Sequence, residues 1–198
     1  PDVPSYNDSQ LVGSSRNRNL QEVLIWQRQW CYLSQSDIHD FYQAHELSSE
    51  DVMLNCFLFR RDGFCSDSPL ETVISLSLNF GARSAQCLAQ LAKFLTGKMY
   101  IYPVSPDVDH ALTYAITDDL FVGSSDKQKL LEMEKVLESG LKEGGYTLKK
   151  FRRSNTEGDE IMIGDKEGEF GGNLGLSWRT STDTWKVPVK LNFNEKQR

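Results

Sequence analysis

Apolar positions along this chain change period several times, and the changes mark its elements. "NLQEVLIWQRQW" carries Leu20, Val23, Leu24 and Trp30 at helical spacing and predicts a helix. "CYLSQSDI" reads as a strand that runs straight into "HDFYQAHELSSED". "VMLNCFLFRRDG" and "LETVISLSLNF" are β-rich and are separated by the turn-like "DGFCSDSP". In the second of these, Val73, Ser75, Ser77 and Asn79 alternate with Ile74, Leu76, Leu78 and Phe80, which predicts one buried side. "SAQCLAQLAKFLTG" returns to helical spacing, with Leu88, Leu91 and Leu95 on one stripe and Gly97 at its end.

The clearest helix is "SSDKQKLLEMEKVLESGLKEGG". Ser125 and Gln128 have capping-box spacing, Leu130, Val136 and Leu137 form its apolar side, and Gly144–Gly145 end it. "YTLKKF", "EIMIG", "LGLSW" and "TWKVPVKLNF" follow as strands, the last pairing as a hairpin across "RTSTD". Hairpins interleaved with separated helices predict an α+β fold with a mostly antiparallel sheet. No internal repeat is present, and "PDVPSYNDSQLVGSSRNRN" reads as an irregular lead-in.

Composition narrows the class. A length of 198 residues suits a single domain or slightly more, and 39% hydrophobic side chains are enough for a core, which argues against disorder. No apolar run reaches the length of a membrane span, and no signal peptide opens the chain. Pro rather than Met at position 1 suggests a processed or excised piece. Cys31, Cys56, Cys65 and Cys87 lack zinc spacing and are too sparse for a disulfide scaffold, so free thiols in a reducing compartment are expected. The net charge of -6 leaves no overall basic footprint for nucleic acid, with "KKFRR", Lys149 to Arg153, the local exception.

Candidate chemistry centres on carboxylates. In "TYAITDDLFVG" a hairpin turn carrying Asp118 and Asp119 places two like charges side by side, with Ile116 and Leu120 as anchors. Such pairs are commonly plain turn residues, but a hard divalent cation such as Mg²⁺ would remove the repulsion. A second acidic site stands at Asp37, at the end of the "CYLSQSD" strand, followed by Asp40 and the aromatic pair Phe41–Tyr42. If the two strands are neighbours, Asp37 and Asp118 could hold two ions roughly 3.5–4 Å apart, the spacing used for in-line phosphoryl displacement.

The order of these segments resembles the reverse transcriptase of BEL/Pao-type LTR retrotransposons over about residues 6–190. "YNDSQLVGSSRNRNLQEVLIWQRQWCYLSQSDIHDFYQ" is similar to that family's Asn-Asp-x-Leu-x-x-Gly lead-in, helix, Ala-Asp-Ile and aromatic-Gln pair. "CFLFRRDG" resembles its Phe-Leu-Trp-Arg strand and "LNFGARSAQCLAQ" its Phe-Gly-x-x-x-Ser-Pro helix start. "ITDDLFVGSSDKQKLLEMEKVLESGLKEGGYTLKKF" is similar to its Tyr-Val-Asp-Asp, long helix and Gly-Gly-Phe block, and "LGLSWRTSTDTWKV" to its Leu-Gly-x-x-Trp strand pair.

The resemblance implies a polymerase palm-like α+β fold with helices packed on one face of the sheet. Residues 1–30 would be lead-in and partial fingers. Residues 31–178 would be the palm, with a fingers segment around 50–80, and 179–198 a hairpin strand toward a thumb outside the chain. Asp37, Asp118 and Asp119 would bind Mg²⁺ or Mn²⁺. The backbone from Ile38 to Phe41 would lie along the triphosphate, and Tyr42 would sit beneath the sugar and reject ribonucleotides. Phe80 and Gly81 would line the nucleotide pocket, and Lys150 would be a proton donor to pyrophosphate. Leu174, Gly175 and Trp178 would form the primer grip.

Implied partners are an RNA or DNA template-primer, dNTPs, and the protease, RNase H and integrase of a parent polyprotein. The implied setting is the cytoplasm or a virus-like particle, with the nucleus as an alternative. Ile116 and Thr117 depart from the Tyr-Val that precedes the aspartates in the family, Tyr114 lies two residues early, and Ala85–Gln86 replaces the Ser-Pro. With basic fingers strands, thumb and RNase H outside the chain, a second reading stands beside the enzyme: a domesticated or truncated palm that binds a partner without polymerising. Another palm nucleotidyltransferase, such as a cyclase, is less favoured by "FGARSAQ" and "GGYTLKKF".

Overall fold

The computed structural model describes residues 5–63, 67–149 and 151–154, and the strand backbones 171–173, 176–179 and 184–186. The chain is mixed α+β, and every ladder among the described residues is antiparallel. Four short elements open it: helices α1 (Tyr6–Ser9) and α2 (Leu20–Gln27), strand β1 (Tyr32–Asp37) and helix α3 (Ser49–Val52). Strands β2 (Cys56–Phe59) and β3 (Glu71–Ile74) make a hairpin ahead of helix α4 (Ala85–Thr96). Helix α5 (Asp109–Thr113), strand β4 (Asp119–Ser124), helix α6 (Lys127–Glu143) and the short strand β5 (Arg152–Arg153) complete the body that carries the site.

The central sheet has the order β4-β1-β5. Side chains alternate across it, and the two faces take different cores. On one face Leu33 and Phe121 pack with Val23 and Trp26 of α2 and with Ile116. On the other, Leu120 and Val122 pack with Ala89, Ile101, Leu112, Leu130, Leu137 and Leu141. Helices therefore cover both faces, which corrects the expectation of helices on one face. The reason lies in β4, whose buried Leu120, Phe121 and Val122 fall on both parities, while β1 buries Leu33 with the polar Ser34, Gln35 and Ser36, so neither face is left for solvent. Close approach fixes Trp30 as well: a Cβ at Gly123 would lie 2.2 Å from its indole.

Three further expectations are corrected. First, α6 is capped by Asp126, whose side chain accepts from Lys129 N at 3.0 Å, instead of by Ser125 with Gln128. A carboxylate there satisfies an orphan amide and also opposes the helix dipole. The helix does end at Gly144, with Gly145 at φ +85° supplying the left-handed turn. Second, α4 does not bury its leucine stripe: Leu88 and Leu95 are about half exposed, while Ala89, Gln90 and Lys93 are buried. Small alanines let the helix approach closely, and the long polar side chains of Gln90 and Lys93 are used inward while Gln86 stays exposed. Third, Ile74, Leu76 and Phe80 are exposed and only Leu78 of that set is buried. The β2–β3 hairpin is two-stranded, and all four residues of β2 are exposed.

Ahead of the aspartates the chain is helical in α5 and forms no strand, so the expected hairpin reduces to its turn. A separate three-stranded sheet joins β6 (Gly171–Asn173), β7 (Leu176–Arg179) and β8 (Thr184–Lys186), with Trp178 opposite Trp185. The hairpin across "RTSTD" thus agrees with the sequence reading. The "EIMIG" strand, Lys150, Leu174 and Gly175 lie outside the described residues. Cys31, Cys56 and Cys87 are free thiols. Among the described residues, no helix is long and apolar enough to cross a membrane.

Candidate functional site

The β1–β4 register sets Asp37 directly opposite Asp119, with Ser36 opposite Leu120 behind them. Just past the strand end, Ile38 N donates to Asp118 O at 3.1 Å. Residues 31–38 and 116–120, far apart in the chain, thus bring three carboxylates to one end of the sheet. Ile116 N donates to Asp119 O, and Asp119 N to Ile116 O, both at 2.9 Å, so Thr117 and Asp118 are the central residues of a tight turn. Ile116 and Leu120 are both buried, as anchors should be.

Thr117 has φ +54°. A β-branched residue in the left-handed region costs about 1–3 kcal/mol and persists only where its surroundings over-determine it. Both of its backbone groups are held. Thr117 N donates to Asn17 Oδ1 at 3.3 Å, and Lys93 Nζ donates to Thr117 O at 2.5 Å. Gln90 Nε2 donates to the same Asn17 oxygen at 2.6 Å, and Gln90 Oε1 accepts from Arg16 N at 3.0 Å. The lead-in is therefore not a loose preface; it runs along α4 and grips the turn.

Burial drives the electrostatics here. It raises Asp118 above the ordinary carboxylate range, and the charge of Asp37 adds to the rise, while Lys93 and Lys149 oppose it. Asp119 is raised for the same first reason and by the charges of Asp118 and Asp37; a hydrogen bond from Gln35 Nε2 to its Oδ1 at 3.0 Å works against the shift. Lys93 is 4% exposed, and burial lowers it to about 8 even though Asp118 and Asp119 pull it back up. Its ammonium also lies 5.3 Å from the centre of the Phe41 ring.

Tyr42 stands near enough to Asp118 to feel its charge. Burial and then the Asp118 charge raise its phenol, and its ring meets Phe80 at 4.8 Å. Gly81, at φ +85°, follows Phe80 in a turn that only glycine adopts freely, and its carbonyl accepts from Asn7 Nδ2 at 2.9 Å. Ile38 and Phe41 are buried in the core, so only their backbone is available to a ligand. Ile38 N and His39 N bond to Asp118 O and Thr147 O, whereas Asp40 turns at φ +47°. The backbone of Trp178 lies in the separate β6–β8 sheet.

Sequence reasoning missed four residues of this cluster: Asn17, Gln35, Lys93 and Lys149. Lys149 Nζ sits 3.0 Å from Asp37 Oδ2, and Lys149 N donates to Asp37 O at 2.8 Å. One signal was present, since Gln90 and Lys93 sit three apart on the small-residue side of α4, beside Ala89. Of the basic run, Arg153 grips the buried Glu134 of α6 through Nε at 2.8 and 3.1 Å and a terminal nitrogen at 2.5 Å.

The donor set suits a hard divalent cation in its chemistry. Asp37 Oδ1 is buried without a hydrogen-bond partner, and it stands beside two carboxylates that burial holds unfavourably charged. Yet no group of three His, Cys, Asp or Glu among the described residues is gathered round one point, and Lys149 occupies the other oxygen of Asp37. Both partners of that ion pair are partly exposed, so the ammonium can swing away. No family model matches the chain, and no curated protein matches it.

Proposed function

We propose that the chain is the catalytic core of an RNA-directed DNA polymerase of the BEL/Pao retrotransposon type, built on a palm-like sheet. The observation that carries this reading is the β1–β4 pairing, with Asp37 across from Asp119 and Ile38 N bonded to Asp118 O. Carboxylates brought together from two neighbouring strand ends could hold the paired ions of two-metal nucleotidyl transfer. Asp37 and Asp118 would hold Mg²⁺ or Mn²⁺, with Asp119 as their partner. When bound, such ions supply Lewis acidity that lowers the pKa of a primer 3′-hydroxyl and neutralises the leaving pyrophosphate.

The protein's own groups do the rest. Tyr42, braced by Phe80, forms the floor beneath the sugar, where its bulk excludes a 2′-hydroxyl. Of the turn from Ile38 to Phe41, the backbone of Asp40 and Phe41 would lie along the triphosphate, since the amides of Ile38 and His39 already donate to Asp118 O and Thr147 O. Gln35 orients Asp119 through its 3.0 Å hydrogen bond. Template-primer and dNTP are the substrates in this reading, and protease, RNase H and integrase the neighbouring activities of the parent polyprotein.

The second reading, a palm-like domain that binds a partner and does not polymerise, draws on the Lys149–Asp37 ion pair and on Ile116 where the family carries Tyr. Isothermal titration with Mg²⁺ or Mn²⁺ separates the two. Binding in the parent chain that is lost in Asp37→Asn and in Asp118→Asn supports the polymerase. Absence of binding in the parent chain favours the binding protein.

A further inference from the structure

We propose that Lys93 is a positioning residue: its ammonium group locks the left-handed Thr117 peptide and so fixes the direction in which Asp118 and Asp119 leave their turn. The inference deepens the polymerase reading and rests on it only for the identity of the cation.

Three observations converge on Lys93. A lysine that is 4% exposed has given up nearly all its water, so its position demands compensation. That compensation is the Thr117 carbonyl at 2.5 Å and the face of Phe41 at 5.3 Å. The carbonyl belongs to the one residue of the turn with positive φ, and its amide is already held by Asn17 at 3.3 Å. Lead-in and α4 thus grip opposite ends of one strained residue. Releasing the carbonyl would let Thr117 relax toward negative φ, and rotation there swings the next two side chains, which are the aspartates.

A charge effect and a donor effect predict opposite outcomes. Removing a cation beside the Asp118 and Asp119 carboxylates strengthens their attraction for a divalent ion. Removing the donor that shapes the turn weakens binding, because the carboxylates lose their common aim. The structure favours the donor, since Lys93 contacts the backbone of the turn and forms its hydrogen bond there.

The test uses the full chain, Mn²⁺ as the probe with free ion counted by electron paramagnetic resonance, and two variants. Lys93→Met removes charge and donor; Lys93→Gln removes the charge and keeps a donor. Loss of an outer partner of a metal ligand typically weakens affinity about 10–100-fold, so Lys93→Met is expected to lose at least the lower figure and Lys93→Gln to recover most of it. Hydrogen exchange over residues 115–119, measured without any cation, is expected to quicken in Lys93→Met and stay near the parent rate in Lys93→Gln.

Unchanged exchange in Lys93→Met, Mn²⁺ binding as tight as or tighter than the parent's, or equal impairment of both variants overturns the proposal. If Lys93→Met does not fold, Lys93→Gln decides alone, because parent-like exchange and parent-like Mn²⁺ affinity are both required of it. A parent chain that binds no Mn²⁺ counts against the polymerase, and the exchange rates then judge the clamp by themselves.

Discussion

Lys149→Ala turns the ion pair on Asp37 into a quantitative test of the site. In the free protein the ammonium holds Asp37 Oδ2 at 3.0 Å, with the two side chains 56% and 33% exposed. A divalent ion that takes Asp37 must break this pair and then tolerate the displaced charge. Breaking an exposed pair costs about 0–1 kcal/mol. Repulsion between an ammonium and a divalent ion at contact adds about 2 kcal/mol in a water-like dielectric, and salt screens part of it. A net gain of about 1–2 kcal/mol in the variant corresponds to roughly five- to thirtyfold tighter binding.

At neutral pH Lys149 is fully charged, because the hydrogen bond and charge of Asp37 raise it above an already basic value. The competition therefore operates in full. Titration of Mg²⁺ into parent and variant at two ionic strengths measures it, and the advantage of Lys149→Ala is expected to shrink at the higher salt. In an Asp37→Asn background the substitution should gain nothing. Unchanged or weaker binding in Lys149→Ala would falsify the assignment of Asp37 as a ligand, whatever the neighbouring aspartates do.

Three other outcomes follow from the same geometry. Asp119→Asn removes a like charge directly opposite Asp37 and is expected to stabilise the fold at pH 7 by about 0.2–1 kcal/mol. Because the folded pKa of Asp119 is raised, the parent loses stability as pH climbs from the ordinary Asp range through that raised value, so the variant's advantage should fade in acid; an advantage independent of pH in chemical denaturation refutes this. Arg153→Ala leaves Glu134 buried without its partner and is expected to cost about 3 kcal/mol in urea denaturation, the low end for a broken buried pair because the Arg153 side chain is 43% exposed, with much of it recovered when Glu134→Met and Arg153→Met are combined. Tyr42→Ala removes the floor that Phe80 braces, and in a polymerising longer chain it should admit ribonucleotides; unchanged sugar selectivity takes Tyr42 out of that role.

Much of the local structure was legible along the chain. β1 ends at Asp37, where the strand read in "CYLSQSD" put it, α6 stops at its paired glycines, and buried Ile116 and Leu120 frame an acidic turn. These features depend on neighbours within a few residues, where period, capping and turn chemistry speak directly. The strand expected ahead of the turn failed for the same local reason, since "HALTYA" carries a helical option that apolar content alone does not separate from a strand.

Tertiary packing decided the rest. Leucines at helical spacing in α4 pointed to a buried stripe, yet the helix buries Gln90 and Lys93, because Thr117 and Asn17 offer partners that no local pattern announces. Likewise, in the basic run Lys149 pairs with Asp37 and Arg153 with Glu134, acids distant in the sequence that the run meets as β5 joins the sheet. The sequence by itself determined where β1, α4 and α6 run and which turn carries the paired aspartates. Which of them meet was set by long-range pairing, since a buried polar group is stable only beside the partner that packing brings to it.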